Sequence, residues 1–180
     1  MVVIYLRTLH IIGNSTTIAG LSPSLLPRQP RQKQTCLPPF TSKKSDLPKP
    51  GKFPNPVPGA RLTSPYGYRI HPTLGVRKFH NGQDLAAPTG APIKAPLPGN
   101  VTAAGWLSGA CGNGVKIDHP DNWSTSYCHL SRVNVRSGQS VNVGSVIGLV
   151  GSTGRSTGPH LHLTLKKNGQ TVDPAKYFDF

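Results

Sequence analysis

The sequence of 180 residues contains no glutamate, and all six of its acidic residues are aspartates. Lys and Arg together number 20, so the formal net charge is +14. The absence of glutamate excludes metalloproteases built on the HExxH motif, because that glutamate is their general base. The positive charge favours an anionic partner such as a nucleic acid, a membrane surface or a cell-wall polymer.

Nucleic-acid recognition patterns are also lacking. The three cysteines, Cys36, Cys111 and Cys128, form no CxxC pair, which disfavours a cysteine-based zinc site. No Arg-rich helix and no basic strand with interleaved aromatic residues accompanies the charge. A nucleic-acid partner is therefore disfavoured, although the charge alone keeps it as a third hypothesis.

Long apolar runs are absent as well. No stretch reaches the roughly 18 residues that cross a bilayer, so we expect no transmembrane span. The apolar N-terminus lacks a basic region before Arg7, and Arg7 and His10 interrupt it, so it is a weak secretory signal. A cleaved signal, a misassigned start codon and export by another route remain open.

No segment has sustained helical periodicity. From about Arg61, short β-prone runs alternate with Gly, Pro and Asn turns, which predicts an all-β fold. We expect one compact antiparallel β-sandwich or barrel-like domain over residues 59–180. Residues 22–58 carry ten prolines and few large apolar side chains. We therefore predict that residues 1–58 form a disordered, Pro-rich basic segment and linker.

Five segments of the predicted domain have the strongest strand signal, namely 99–106, 113–119, 123–130, 145–150 and 159–167. The sequence from His119 to Asn122 predicts a hairpin turn. Asn168-Gly169 predicts a second one.

Two histidines alternate with leucines in the last of these strands. His160 and His162 share one face, with Cα atoms about 6.6 Å apart, and Leu161, Leu163 and Leu165 take the other. The spacing suits a metal ligand beside a second polar group. A surface strand with two solvated histidines explains this segment equally well.

A second histidine motif is His80-Asn-Gly-Gln-Asp84. In a straight strand its two ends would stand about 13 Å apart, but Asn81-Gly82 is a turn signal that could bring them together. Two histidines and an aspartate suit a catalytic zinc ion with a fourth position open to water. The HxxxD motif alone is a weak indication of a metal site, and the later HxH motif strengthens it. His129, at the end of another predicted strand, reads alone as a surface residue.

Taken together, these motifs resemble the lysostaphin/LytM-type zinc endopeptidases, which cut peptide bonds in bacterial peptidoglycan. The resemblance covers roughly residues 60–178. It rests on the order and intervals of segments 61–69, 71–75, 80–90, 98–101, 112–119, 127–131, 138–141, 148–154 and 158–162.

The resemblance implies a role for five residues. His80, Asp84 and His162 match the family's ligands for one Zn²⁺, and His129 and His160 match its two catalytic histidines. The expected reaction is hydrolysis of a peptide bond in peptidoglycan, in the cross-bridge or the stem peptide, through a metal-activated water. Without glutamate, a histidine is the expected base, and the sequence leaves open which one. The other histidines match no site.

Cys128 departs from the family pattern, which often has a small residue there. Pairing about the 119–122 turn brings Cys111 near it, although not in perfect register, and we predict a Cys111–Cys128 disulfide. Such a bond would fit an oxidising, extracytoplasmic location, periplasmic, secreted or phage-delivered. Two reduced buried thiols are the alternative if the protein stays in a cytosol.

A competing hypothesis is a non-catalytic wall-binding or regulatory module on the same fold. The five filled positions argue against it, because degenerate members lose ligands or catalytic histidines. We expect a monomer whose basic surface also attracts other anionic wall or envelope polymers. Which peptide bond is cut, and whether the protein is cellular or phage-borne, is open.

Overall fold

Strands dominate the computed structural model, which describes residues 52–70 and 75–180. Within these residues, two short 3-10 turns, Pro120–Asn122 and Pro174–Lys176, interrupt a succession of fifteen strands. The strands are β1 Phe53–Pro54, β2 Arg61–Ser64, β3 Gly67–Ile70, β4 Arg77–His80, β5 Gln83–Ala86, β6 Pro92–Lys94, β7 Gly99–Ser108, β8 Gly112–His119, β9 Trp123–Cys128, β10 Arg132–Val133, β11 Ser140–Val141, β12 Val146–Leu149, β13 His160–Lys167, β14 Gln170–Val172 and β15 Phe178–Asp179.

The largest sheet has eight strands and is organised around β13. Its order is β11-β7-β8-β9-β13-β5-β2, and β14 pairs with the distal end of β13. Strand β13 is antiparallel both to β9 and to β5. The last long strand of the chain is therefore inserted between two earlier ones. The smaller sheets are the three-stranded β10-β12-β6, the hairpin β3-β4 and the parallel pair β1-β15.

The core lies on one face of β13. Leu161, Leu163 and Leu165 are fully buried there, in one cluster with Ile93 of β6 and Ile147 of β12. Burial of each such side chain stabilises the fold by about 1.5–3 kcal/mol. The three-stranded sheet thus covers the inner face of the large sheet. Because side chains alternate along a strand, the histidines of β13 are left on the outer face.

The all-β antiparallel prediction is confirmed, and each of the five predicted strands corresponds to an observed one. Both predicted hairpin turns are also present. Asp121 and Asn122 have φ of 56° and 57°, and Asn168 and Gly169 have φ of 52° and 78°. These left-handed central residues match the twist of the strands that they connect.

The beginning of the domain differs from the prediction. Residues 53–57 were placed in the linker, yet Phe53–Pro54 pairs with Phe178–Asp179. The Phe53 ring lies 5.3 Å from that of Trp123, and Val57 is only 2% exposed. A pairing across more than a hundred residues leaves no local periodicity, and the surrounding prolines mask the few apolar side chains that anchor it.

The remainder of the predicted linker, including His10 and Cys36, lies outside the described residues, and so does His71. The boundary between residues 58 and 59 stays a prediction. In the part of the chain that the structure covers, no helix has both the length and the apolarity to cross a membrane.

Candidate metal centre and active site

Three side chains meet on the outer face of the large sheet: His80 at the end of β4, Asp84 in β5 and His162 in β13. His80 Nε2 lies 3.1 Å from His162 Nδ1, and Asp84 Oδ1 lies 2.8 Å from His162 Nδ1 and 3.2 Å from His80 Nε2. Tetrahedral zinc with bonds near 2.0–2.1 Å would hold its ligand atoms about 3.3 Å apart. The donor atoms and their spacing therefore fit one such ion.

The sheet and one turn bring these ligands together. Antiparallel pairing sets His162 directly opposite Asp84, and the bend at Gly82 between β4 and β5 lets His80 face both. Gly82 also gives the His162 ring its space. A Cβ on Gly82 would lie 2.7 Å from His162 Nε2, so the close approach requires glycine.

Hydrogen bonds outside the centre orient both ligand rings. His80 Nδ1 donates to the carbonyl of Pro65 at 2.8 Å, and His162 Nε2 lies 3.2 Å from the hydroxyl of Thr164. With these nitrogens engaged, His80 Nε2 and His162 Nδ1 are left facing the centre. Such outer contacts fix the tautomer and the ring plane of metal-binding histidines.

The third candidate ligand, Asp84, is held in its ionised form. Burial would raise the pKa of this carboxyl group, but hydrogen bonds and charge interactions with His162 and His80 outweigh burial and hold the pKa well below its ordinary value. Arg69 adds a guanidinium group, with Nη2 3.5 Å from Asp84 Oδ2. A carboxylate is therefore available to bind a cation at neutral pH.

His129 and His160 stand beside this centre. Their ring centroids are 4.7 Å apart, and His160 Nε2 lies 3.8 Å from Asp84 Oδ1. Each ring donates from Nδ1 to a backbone carbonyl at 2.8 Å, His129 to Thr153 and His160 to Gly158. The Nε2 atom of each ring is thereby left as the atom that can exchange a proton with a ligand in the cleft.

All five side chains line one open cleft of about 1080 Å³. Its remaining charged lining is cationic: Arg69, Lys78, Lys116, Arg155 and Lys166. Asp84 is the carboxylate among the lining residues. An elongated, anionic ligand suits the size and the charge of this cleft.

Comparison with known proteins identifies the family, because the model of peptidase family M23 matches residues 78–174. The chain belongs to peptidase family M23. The matched range includes all five side chains of the cleft described above. The predicted resemblance is thereby confirmed at the level of the family.

Relatives of this M23 domain include a longer curated protein. The chain is 48% identical over 119 residues to the DD-carboxypeptidase/endopeptidase Mpg of Neisseria meningitidis serogroup B. The match covers 66% of this chain and 27% of that protein. The chain thus spans about a quarter of the length of this relative.

Solved structures give the same fold. A zinc-containing peptidase from Vibrio cholerae aligns with a TM-score of 0.61 and 37% identity, covering 68% of this chain and 39% of that chain. The catalytic domain of the antimicrobial peptidase lysostaphin from Staphylococcus simulans aligns with a TM-score of 0.58 and 34% identity. The alignment covers 66% of this chain and 91% of that chain. The M23 domain of this chain thus has the lysostaphin-type fold that was predicted.

The predicted Cys111–Cys128 disulfide is present in this M23 domain, with Cα atoms 4.9 Å apart. The regular pairing of β8 with β9 ends at Val115 opposite Tyr127, and Gly112, beside Cys111, has a φ of +68°. Both cysteines line the cleft. The alternative of two reduced thiols is not what the structure contains.

Sequence reasoning missed three contributors to the M23 site: Thr164, Arg69 and the Thr153 carbonyl. Thr164 was detectable, since it continues the alternation of His160 and His162 on the same face. Arg69 and Thr153 left no local signal, because they reach the site through separate loops and strands. His119 belongs elsewhere, as expected, with Nδ1 donating to Pro98 and Nε2 accepting from Thr125.

Proposed function

We propose that this M23 domain is a zinc-dependent endopeptidase that hydrolyses peptide bonds in peptidoglycan. The observation that carries the proposal is the His80–Asp84–His162 centre beside the proton-exchanging atoms of His129 and His160. The name of the Neisseria relative and that of ShyA, a peptidoglycan DD-endopeptidase of Vibrio cholerae with 43% identity, support the substrate class.

In this proposal His80, Asp84 and His162 hold one zinc ion. When bound, zinc supplies Lewis acidity that polarises the scissile carbonyl and lowers the pKa of water at the site. The outer hydrogen bonds from His80 and His162 keep the ligand atoms aimed at one point. Arg69 steadies the free oxygen of Asp84.

His129 acts as the base in this proposal. Burial lowers the pKa of its ring more than the hydrogen bond to Thr153 raises it, so the ring is neutral at pH 7. A neutral imidazole with Nδ1 bonded to a carbonyl can accept a proton at Nε2 from the attacking water, and it can then deliver that proton to the amine nitrogen as the C–N bond of the peptide breaks. His160, in its doubly protonated form, keeps Nδ1 bonded to Gly158 and donates from Nε2 to the oxyanion that develops on the substrate carbonyl.

The cationic cleft and the net charge of +14 support an anionic wall as the partner. The protein then works outside the cytoplasm, where peptidoglycan lies and where the disulfide persists. We propose that it acts as a monomer and also binds other anionic envelope polymers. Attraction of this kind weakens with salt, so binding to isolated walls should fall as ionic strength rises.

Digestion of purified sacculi tests the activity. The full chain with zinc should release muropeptides whose masses identify the cleaved peptide bond, and a chelator should stop the release until zinc is restored. Release that continues after verified metal removal would refute the zinc mechanism. Binding of the zinc-loaded protein without any cleavage would instead support the non-catalytic wall-binding module.

A further inference from the structure

We propose that the Cys111–Cys128 disulfide is a positioning element that holds His129 in its reactive orientation. The role of His129 in this inference rests on the function proposed above. The cysteines themselves touch no reacting atom in the proposal. Their effect passes through the backbone of His129 and through the carbonyl that orients its ring.

The backbone of His129 is in a conformation that needs support. Its φ is +68°, in the left-handed region that few residues other than glycine adopt, although histidine adopts it more often than most. The other non-glycine residues with positive φ in the described segments are Asp121, Asn122 and Asn168. These three lie in hairpin turns and are of types that tolerate this region. His129 alone among these four is at the candidate active site.

The segment that begins at Cys111 supplies this support. The amide of His129 donates to the carbonyl of Cys111 at 2.8 Å, and the amide of Leu130 donates to the carbonyl of Asn113 at 3.0 Å. Regular pairing of β8 with β9 extends as far as Val115 opposite Tyr127. Beyond this point, the disulfide covalently links the two segments that lead out of β8 and β9.

The same segment also contacts the residue that orients the imidazole. The amide of Asn113 donates to the hydroxyl of Thr153 at 3.0 Å, while the carbonyl of Thr153 accepts from His129 Nδ1 at 2.8 Å. The fit is close, since a Cβ on Gly154 would lie 2.8 Å from the carbonyl carbon of Cys111. Residues 111–113 therefore connect the His129 backbone with the acceptor of its ring.

Loss of the disulfide should consequently release His129 without dispersing the metal ligands. The proposed ligands come from β4, β5 and β13. His162 lies opposite Cys128, but β13 is held independently of the disulfide by its pairing with β5 and by the rest of its pairing with β9. Proton transfer depends strongly on the placement of the base, and an error of about 1 Å can cost about a hundredfold in rate. We expect kcat to fall about tenfold to a hundredfold, with KM and zinc content unchanged.

The experiment compares the wild-type full chain with the Cys111→Ser, Cys128→Ser double variant. Kinetics on a purified muropeptide dimer give kcat and KM, and elemental analysis gives bound zinc. The ¹⁵N shifts of the His129 ring and the hydrogen exchange of its amide report its position independently of turnover. We expect faster amide exchange and a changed ring signal in the variant.

A matched control is Thr125→Val, which removes the hydroxyl partner of His119 at the other end of the same hairpin. It should lower the melting temperature without changing kcat or the His129 signals. A double variant with unaltered kcat and unaltered His129 signals would overturn the proposal. So would a fall in kcat that Thr125→Val reproduces at equal loss of stability.

Two further outcomes are also decisive. If the double variant does not fold, reduction of the folded wild type with a phosphine, in the presence of zinc, provides the same comparison. If the wild type hydrolyses no peptidoglycan, the proposed function fails, and the His129 ring and amide signals still decide whether the disulfide positions this residue.

Discussion

Two histidines at opposite ends of the β8–β9 hairpin are equally buried and differently used. His119 is 8% exposed and His129 is 7% exposed, and burial lowers the pKa of both rings. His119 has protein partners on both nitrogens, Pro98 and Thr125. His129 has Thr153 on Nδ1, and its Nε2 remains for the cleft.

Burial and a lowered pKa do not by themselves identify a catalytic histidine. Either ring would be selected by those criteria. The distinguishing property is a ring nitrogen without a protein partner that faces solvent space lined by other functional groups. His119 stabilises the fold because its hydrogen-bonding capacity is filled, whereas His129 can act because half of that capacity is free.

Replacing each histidine is the strongest test of the comparison. His129→Ala should lower kcat by about 10²–10⁴-fold, since it removes the proposed base. His119→Asn should leave kcat unchanged and lower the free energy of unfolding by about 1–3 kcal/mol, because Thr125 and Pro98 lose their partner. Steady-state kinetics and urea unfolding measure the two effects. An equal loss of kcat in both variants would remove the distinction.

Substitution of Gly82 tests whether the candidate metal centre beside His129 depends on close packing around His162. Gly82→Ala would place a methyl group against His162, which should weaken zinc binding by at least about 100-fold. Gly109→Ala is the matched control, because a Cβ there meets no atom within 4 Å. Competition with a zinc chelator gives both affinities. Equal zinc affinity in the two variants would contradict the steric argument.

Thr164 tests the outer hydrogen bond to a ligand ring. Thr164→Val keeps the shape but removes the oxygen 3.2 Å from His162 Nε2. We expect about tenfold weaker zinc binding, at the low end of the effect of such contacts. Thr164→Ser, which keeps the hydroxyl, should restore most of the affinity. No difference between the Val and Ser variants would show that the contact is incidental.

Gln83 provides a contrast with His129, because its unpartnered polar atoms lie in the core and not at a cleft. Its side chain is fully buried, and neither amide atom has a hydrogen-bond partner among the residues that the structure describes. Gln83→Leu should therefore stabilise the fold, by about 1–3 kcal/mol, because an unpaired buried amide is removed. Thermal unfolding measures the change, and kcat should not move. A lower melting temperature would mean that the amide is satisfied in solution.

The smallest expected effect is the pH dependence of His119. Burial outweighs the hydrogen bond to Pro98 and lowers the pKa of the folded ring below the ordinary value of 6.5. As the pH falls below about 6.5, the unfolded chain binds a proton that the folded chain does not, so stability decreases. Unfolding of wild type and His119→Asn between pH 7.5 and about 5 should show the shallower slope in the variant. Parallel slopes would contradict the assignment.

Local patterns in the sequence were sufficient for the strands and for part of the site. Alternation placed His160 and His162 opposite the core leucines of β13, and the segments His119–Asn122 and Asn168-Gly169 marked two hairpin turns that the structure contains. These features were accessible because a strand or a tight turn is specified by neighbouring residues. The grouping of five positions came from the family resemblance.

The remaining features depend on contacts between distant segments. The strand pairing of Phe53 and the approach of Arg69 to Asp84 connect segments with no common periodicity. Gly82 appeared as a turn residue, whereas its contact with His162 depends on a ring 80 residues away. The left-handed backbone of His129 was equally inaccessible, since only the assembled β8–β9 end requires it.

The insertion of β13 between β5 and β9 has a consequence for biosynthesis. The ribosome synthesises the residues of both neighbours, β5 and β9, before it reaches those of β13. Until residues 160–167 dock, the nascent protein lacks the ligand His162 and the leucines that close the core. Docking of β13 then brings its core leucines and His162 into place in a single event. A truncated product that ends before β13 would lack His162 and, under the function proposed above, could not hydrolyse peptidoglycan.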